Sequence, residues 1–280
     1  PATAWMRAPG NCPGIFALES VMDELAIACG LDPIELRIRN EPAVDPESGR
    51  PFSSRNLVAC LREGAQRFGW QPRDPTPGLR RAGPWLIGTG VAASTYPAVQ
   101  LPASALVQVD AAGRYRVRID AIDIGNGAWT ALTQIAADAL EVPVEKVQLD
   151  IGDSALPQAL WATASAGTAS WGWAIFNAAS ALRAGLQEEF GGSVPAEGLE
   201  ATGTFQANPE AQQYAMHAFG AQFAEVRVNV DTSEVRVPRL LGVFAAGHII
   251  NPKTARSQFL GGMTWGLSMA LQEESVLDPR

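Results

Sequence analysis

The stretch that most constrains the fold runs from Arg116 to Ile151. Arg116 to Asp120 alternates as a strand does. Gly125-Asn126-Gly127 makes a Gly-x-Gly turn, Trp129 to Leu140 has helical periodicity, and Lys146 to Ile151 reads as another strand. Strand, helix and strand in that order predict a crossover unit. Both glycines permit tight backbone angles and let a ligand approach the main chain closely. The helix that follows aims its free N–H groups and positive dipole end at the turn, which is a seat for an anion. Two glycines after a strand also make an ordinary turn, so the motif needs support from elsewhere.

The flanking segments read as a mixture of helices and strands. Ile15 to Cys29 predicts a helix with Ile15, Leu18, Met22, Leu25 and Ala26 on its inner face and Gly30 beyond its end. Asp32-Pro33 starts a short helix over Ile34–Asn40 with an N-cap carboxylate and a proline in the first turn. Arg55–Phe68 is an amphipathic helix, and Gln71–Pro84, with four prolines and three arginines, is the best linker. Leu86–Tyr96 predicts a buried strand, and Ala105–Val109 with Tyr115–Ile119 a hairpin. The small-residue turn Trp161–Thr168 leads into a helix over Ser170–Phe190, which repeats the anion-seat pattern. Glu188–Met216 reads as irregular. Phe223–Val230 and Glu234–Leu241 form a hairpin, Val243–Ile250 a further strand, and Lys253–Gln272 a long helix. Gly261, Gly262 and Gly266 on that helix predict close packing against another backbone.

Composition narrows the function classes. A chain of 280 residues that is 47% hydrophobic and 18% charged is globular. A net charge of −8 argues against nucleic acid or an anionic membrane surface as the main partner. No apolar run approaches the roughly 20 residues of a membrane span. Cys12, Cys29 and Cys60 are widely spaced and read as reduced structural thiols, and two histidines supply a zinc site or a nucleophile triad poorly. Anion binding then falls to main-chain donors and a few arginines. Arg7, in the Gly/Pro-rich loop Trp5–Gly14, is either a solvated charge or a guanidinium held to fork an oxyanion. Gln258, among small and apolar neighbours, is either solvated or paired with a heterocyclic ligand. The abrupt start at Pro1 and the end just past the last helix read as those of a fragment.

Four ordered stretches carry a resemblance. They are M-R-A-P-G (Met6–Gly10) with A-L-E-x-x-M-D-E-L-A (Ala17–Ala26), D-I-G-N-G with T-x-x-x-Q-I-A-A-D-A-L (Thr130–Leu140), Ala164-Ser165-Ala166-Gly167-Thr168, and N-P-x-x-x-x-x-Q-x-x-G-G (Asn251–Gly262). Together they resemble the molybdenum-cofactor-binding large subunit of the xanthine dehydrogenase/aldehyde oxidase family, most of all bacterial periplasmic-type aldehyde oxidoreductases. The resemblance implies an α/β (α+β) fold, a two-lobed molybdenum-cofactor-binding domain with mixed sheets and packed helices. Residues 1–51 would end the first lobe, 52–84 would be a helix and Pro-rich linker, and 85–280 would form the second lobe, stopping before the catalytic glutamate.

It also implies an oxidoreductase that holds molybdopterin, often as the cytosine dinucleotide, with no direct protein ligand to the metal. Such enzymes oxidise aldehydes or N-heterocycles by Mo–OH attack with hydride transfer to Mo=S, and pass electrons to 2Fe-2S clusters and FAD on partner subunits or domains. Arg7 matches the arginine beside the molybdenum, an electrostatic role, and Pro9 stands where some relatives place a substrate-packing aromatic. Gly125, Asn126 and Gly127 match a cofactor-contacting Gly-Gln-Gly turn, with asparagine one methylene shorter. Ala164 matches a residue next to the metal. Ser165, Ala166, Gly167 and Thr168 match the turn whose amides hold the cofactor, without the cation usual at the third place of Gly-Ser-Arg. Gln258 matches a pterin-contacting glutamine. Thr95, Tyr96 and Gln100 fall where relatives line the substrate pocket, Gln100 in place of an arginine. Without the downstream glutamate the fragment is expected to lack turnover. The implied compartment is the cytoplasm, or the periplasm if the chain is exported with a partner, and a homodimer stays open. A non-catalytic family member serving as a binding or assembly module is the alternative. A nucleotide-binding α/β protein rests on the Gly-x-Gly turn alone, which lacks a third glycine and a G-K-[ST] ending.

Overall fold

The computed structural model describes residues 5–70, 75–206, 212–274 and 276. The helices are α1 (Asn11–Ala28), α2 (Pro33–Arg39), α3 (Leu57–Phe68), α4 (Ala128–Leu140), α5 (Gly167–Phe190) and α6 (Pro252–Leu271). The strands are β1 (Arg81–Ala82), β2 (Trp85–Pro97), β3 (Ser104–Val109), β4 (Tyr115–Arg118), β5 (Val147–Asp150), β6 (Leu199–Thr204), β7 (His217–Asn229) and β8 (Val235–Ala245). They fall into two compact units, Pro1–Pro97 with Glu210–Gly247, and Ala98–Pro209 with His248–Arg280. This division differs from one drawn at residues 51/52 and 84/85. The reason is pairing: β2 runs antiparallel to β7 along its whole length, so segments separated by more than a hundred residues share one sheet. Of the expected linker, residues 71–74 lie outside the described residues, and Arg81–Ala82 pairs with β2.

The first unit is an antiparallel sheet of order β1-β2-β7-β8 carrying three helices. α3 packs its apolar stripe, Cys60, Leu61 and Phe68, on Phe223 and Ala221. Gly64 permits this, since a Cβ there would lie 2.1 Å from the Phe223 ring. α2 starts as expected, with Asp32 accepting from Ile34 N–H at 2.8 Å. Arg37 of α2 is buried and pairs with Glu19 (2.7 Å) and Asp23 (3.1 Å) of α1, while Glu19 also accepts from Ala93 N–H of β2 at 2.7 Å. α1 begins at Asn11, earlier than expected, because Pro13 is tolerated in a first turn. Of its expected inner face only Ala26 is buried, whereas Leu18 and Leu25 are exposed. β2 is half-buried along most of its length, with Val91 alone fully buried, so the expectation of a buried strand is corrected. The segments expected as separate strands after Glu234 are one strand to Ala245, because β7 is long enough to pair with both.

The second unit holds a sheet of order β5-β4-β3-β6. β3 and β4 form the expected hairpin, and β4 and β5 are parallel, joined through α4, which is the crossover read from the sequence. α4 and α5 cover one face and bury Val107, Val117, Ile119, Leu132, Ile175 and Leu182. β6 lies where irregular chain was expected. Its sequence L-E-A-T-G-T is polar, and it occupies an edge beside β3, where one face needs little apolar content. Gly203 admits α5, since a Cβ would come within 2.1 Å of Ala178 N. The glycines of α6 do not behave as expected: Cβ atoms on Gly261 or Gly266 would meet nothing within 4 Å, and α6 has no buried residue. Among the described residues no helix is long and apolar enough to cross a membrane.

Candidate functional site

Most of the expected site residues lie in the second unit, on three helix starts. At α4 the chain turns through Gly125 (φ 91°) and Gly127 (φ 84°), conformations that favour glycine. The donors of this turn are already engaged. The Asp123 carboxylate accepts from Gly125 N–H (2.8 Å), Asn126 N–H (3.1 Å), Gly127 N–H (3.3 Å) and Trp129 N–H (3.1 Å). Burial opposes ionisation of Asp123, and the amides of Trp129, Gly125, Gly127 and Asn126 more than offset it, so its carboxyl is held below the usual range. At this turn the chain's own carboxylate is the anion that the helix start holds. Asn126 Oδ1 accepts from Ala128 N–H at 3.3 Å, which turns that side chain back toward the helix. In the sequence Asp123 is one member of the D-I-G-N-G motif. An aspartate two residues before a glycine at a helix start was the signal available for it.

α6 starts against this turn. Asn251 caps it, accepting from Thr254 N–H at 2.9 Å, and donates through Nδ2 to Gln134 Oε1 of α4 at 2.9 Å. A Cβ on Gly127 would lie 2.6 Å from Thr254 Cγ2. Gln258, half-buried, stands one turn beyond Thr254 on the same helix. The structure thus brings the start of α6, with Gln258 a turn into it, to the Gly125–Gly127 turn.

At α5 the arrangement differs. Ala164 (φ 49°) and Ser165 (φ 56°) both occupy the left-handed region, which is costly for residues with a Cβ and marks a turn held by its surroundings. Ala166 then acts as N-cap with no side-chain hydrogen bond. Among the described residues no side chain caps the amides of Gly167, Thr168 and Ala169, and the first intrahelical bond runs from Ser170 N–H to Ala166 O. Gly167 packs under Trp171, whose ring would lie 2.8 Å from a Cβ. This second seat is uncapped where the first is filled.

The remaining residues belong partly to the first unit. Arg7 and Pro9 are exposed, next to Ala8, whose φ of 57° gives the loop a strained corner. Thr95 and Tyr96 end β2, where Thr95 Oγ1 lies 3.0 Å from His217 Nδ1. His217 stacks on Phe219, and the Arg55 guanidinium lies 4.4 Å and 4.6 Å from the Phe52 and Phe219 ring centres. Sequence reading missed this cluster because its members, Phe52, Arg55, Thr95, His217 and Phe219, come from three separate stretches of chain. Gln100 lies in the second unit, so the expected substrate segment Thr95–Gln100 passes from one unit to the other.

Two families described as molybdopterin cofactor-binding domain match the chain, one over residues 63–200 and 193–280 and the other over residues 1–41. The chain is 40% identical to the aldehyde oxidoreductase molybdenum-binding subunit PaoC of Escherichia coli K12, over 98% of its own length and 41% of that protein. It is 29% identical to the xanthine dehydrogenase molybdenum-binding subunit of Escherichia coli O157:H7, over 100% of its length and 43% of the relative. It therefore spans about two fifths of the length of these curated relatives. Among solved structures, the aldehyde oxidoreductase of Desulfovibrio gigas superposes with a TM-score of 0.83 at 22% identity, over 96% of this chain and 32% of that one. Quinoline 2-oxidoreductase of Pseudomonas putida 86 superposes with a TM-score of 0.78 at 24% identity, over 95% of this chain and 41% of that one. By its matches over most of its length, the chain belongs to the molybdopterin cofactor-binding domains of the xanthine dehydrogenase/aldehyde oxidoreductase family.

Proposed function

We propose that this chain forms part of a molybdenum hydroxylase large subunit and holds molybdopterin, as the cytosine dinucleotide, for the oxidation of aldehydes or N-heterocycles. The observation that carries the reading is the α5 start. Two left-handed residues and an alanine N-cap leave three amides with no side-chain cap among the described residues, and small residues would admit a bulky anion to the main chain. These donors fit a phosphorylated pterin. Bound there, the cofactor would supply the redox-active metal for hydroxylation.

The chain's own residues bind and orient. Gly167, Thr168 and Ala169 would donate to an anionic oxygen, and Gln258 would offer both a donor and an acceptor to a heterocycle. Arg7 would act by charge alone, because a guanidinium stays protonated. Asp123 shapes the α4 turn by accepting from its amides. Thr95, Tyr96 and Gln100 would face substrate. Electrons would leave to iron–sulfur and flavin partners, and the 280 residues alone would turn over no substrate.

The test is metal and nucleotide content of the whole polypeptide that carries this chain, purified with its partners. About one molybdenum and one cytosine nucleotide per chain, both lost in Gly167→Pro with the fold intact by circular dichroism, supports the reading. A folded, aldehyde-inactive protein without molybdenum overturns it, and aldehyde oxidation by the 280 residues alone refutes the need for further parts.

A further inference from the structure

Ser170 is 1% exposed, the one buried hydroxyl of the α5 start, and the site described above does not use it. Its Oγ donates to Ala166 O at 2.8 Å and accepts from Leu101 N–H at 2.8 Å. The first bond is the ordinary back-bond of a helical serine. The second reaches 69 residues back to the loop that follows Gln100.

That loop is tied to α5 by a strap. Ser104 N–H donates to Gln158 O at 2.8 Å, Ala103 bridges Ala159, and Trp171 Nε1–H donates to Leu160 O at 3.0 Å. Trp171 in turn packs on Gly167 of the uncapped turn. Ala103, Ala159, Ala166, Ser170 and Trp171 are all buried, so the loop, the strap and the helix start form one hydrogen-bonded block. Ser170 is bonded both to the turn, at Ala166, and to Leu101, the residue beside Gln100. An apolar side chain would pack there equally well but would leave the Leu101 amide without its acceptor.

We propose that Ser170 is a positioning residue that sets the register of the substrate-side loop, and hence of Gln100, against the amides at the start of α5. This rests on the assignment of Gln100 to substrate and of the α5 start to cofactor. On it, substrate fit depends on a hydroxyl that touches neither group.

The experiment uses the whole cofactor-loaded polypeptide with its partners, comparing the parent with Ser170→Ala, Ser170→Thr and Gln100→Ala. The expected result for Ser170→Ala is faster amide exchange confined to the peptide containing Leu101. Its KM for benzaldehyde rises, by up to about tenfold where the full worth of that internal hydrogen bond is felt at the loop, while kcat falls less and molybdenum per chain holds. Ser170→Thr, which keeps the hydroxyl, restores both readouts. Exchange raised throughout α5 with loss of molybdenum would make Ser170 a purely structural residue and overturn the proposal. A KM moved by Gln100→Ala but not by Ser170→Ala overturns it while sparing the substrate assignment. A KM moved by neither overturns both.

Discussion

The Asp123 carboxylate accepts from the amides of Gly125, Asn126, Gly127 and Trp129 and so holds the start of α4. Asp123→Ala should therefore destabilise the second unit by about 1 to 2 kcal/mol, the usual cost of a lost helix-start acceptor, read as a lower urea midpoint. Because the carboxyl is held below the value of about 3.9 of a free aspartate, its stabilisation is complete above that value. It is lost as pH falls through the lower folded-state value. The urea midpoints of the parent and of Asp123→Asn should accordingly differ near neutrality and converge below about pH 4. The two turn glycines separate backbone strain from packing. Gly125→Ala meets open space and should cost about 1 kcal/mol for its left-handed backbone. Gly127→Ala adds a clash with Thr254 and should cost about 3 kcal/mol. Equal costs in urea denaturation would mean that α6 does not press on the turn.

At the level of elements, two contacts decide how helices seat on sheets. Gly203 of β6 faces the Ala178 N and Ala174 O of α5 at 2.1 Å and 2.5 Å from an added Cβ, and both are backbone atoms that cannot rotate away. Gly203→Ala should cost about 3 kcal/mol, whereas Gly88→Ala, with nothing within 4 Å, should leave the midpoint nearly unchanged. In the first unit the buried Arg37 holds α1 to α2 through Glu19 and Asp23. Arg37→Leu leaves Glu19 half paired and should cost about 3 to 5 kcal/mol; Arg37→Leu with Glu19→Leu should recover part of it in a double-mutant cycle. Elements built on local signals were legible in the chain. Asp32-Pro33 announces α2, the apolar stripe of Leu61 and Phe68 announces α3, and the β3–β4 hairpin and its crossover follow from period and turns. β6 was not, because a polar edge strand carries almost no alternation and gains its place only from β3 beside it.

The chain spans about two fifths of the length of its curated relatives, and α1 presents apolar side chains at its surface. Phe16, Leu18, Val21, Leu25 and Ile27 of α1 are exposed, Phe16 by 75%, on a helix apolar over most of its circumference. A helix of that kind is ordinarily buried. The 280 residues alone should self-associate at micromolar concentration, and Phe16→Glu with Val21→Lys should shift them toward monomer in light scattering; an already monomeric parent would count against a docking role for this face. What the sequence determined by itself is family and local order, because motifs, caps and periodicities act over a few residues and survive without knowledge of the partner. Only the tertiary structure decided that β2 joins β7, that the α4 turn is closed by its own aspartate while the α5 turn stays open, and that Ser170 meets Leu101. The physical reason is range: a hydrogen bond between residues far apart in the chain is chosen by the geometry of everything packed between them, and no short pattern records that choice.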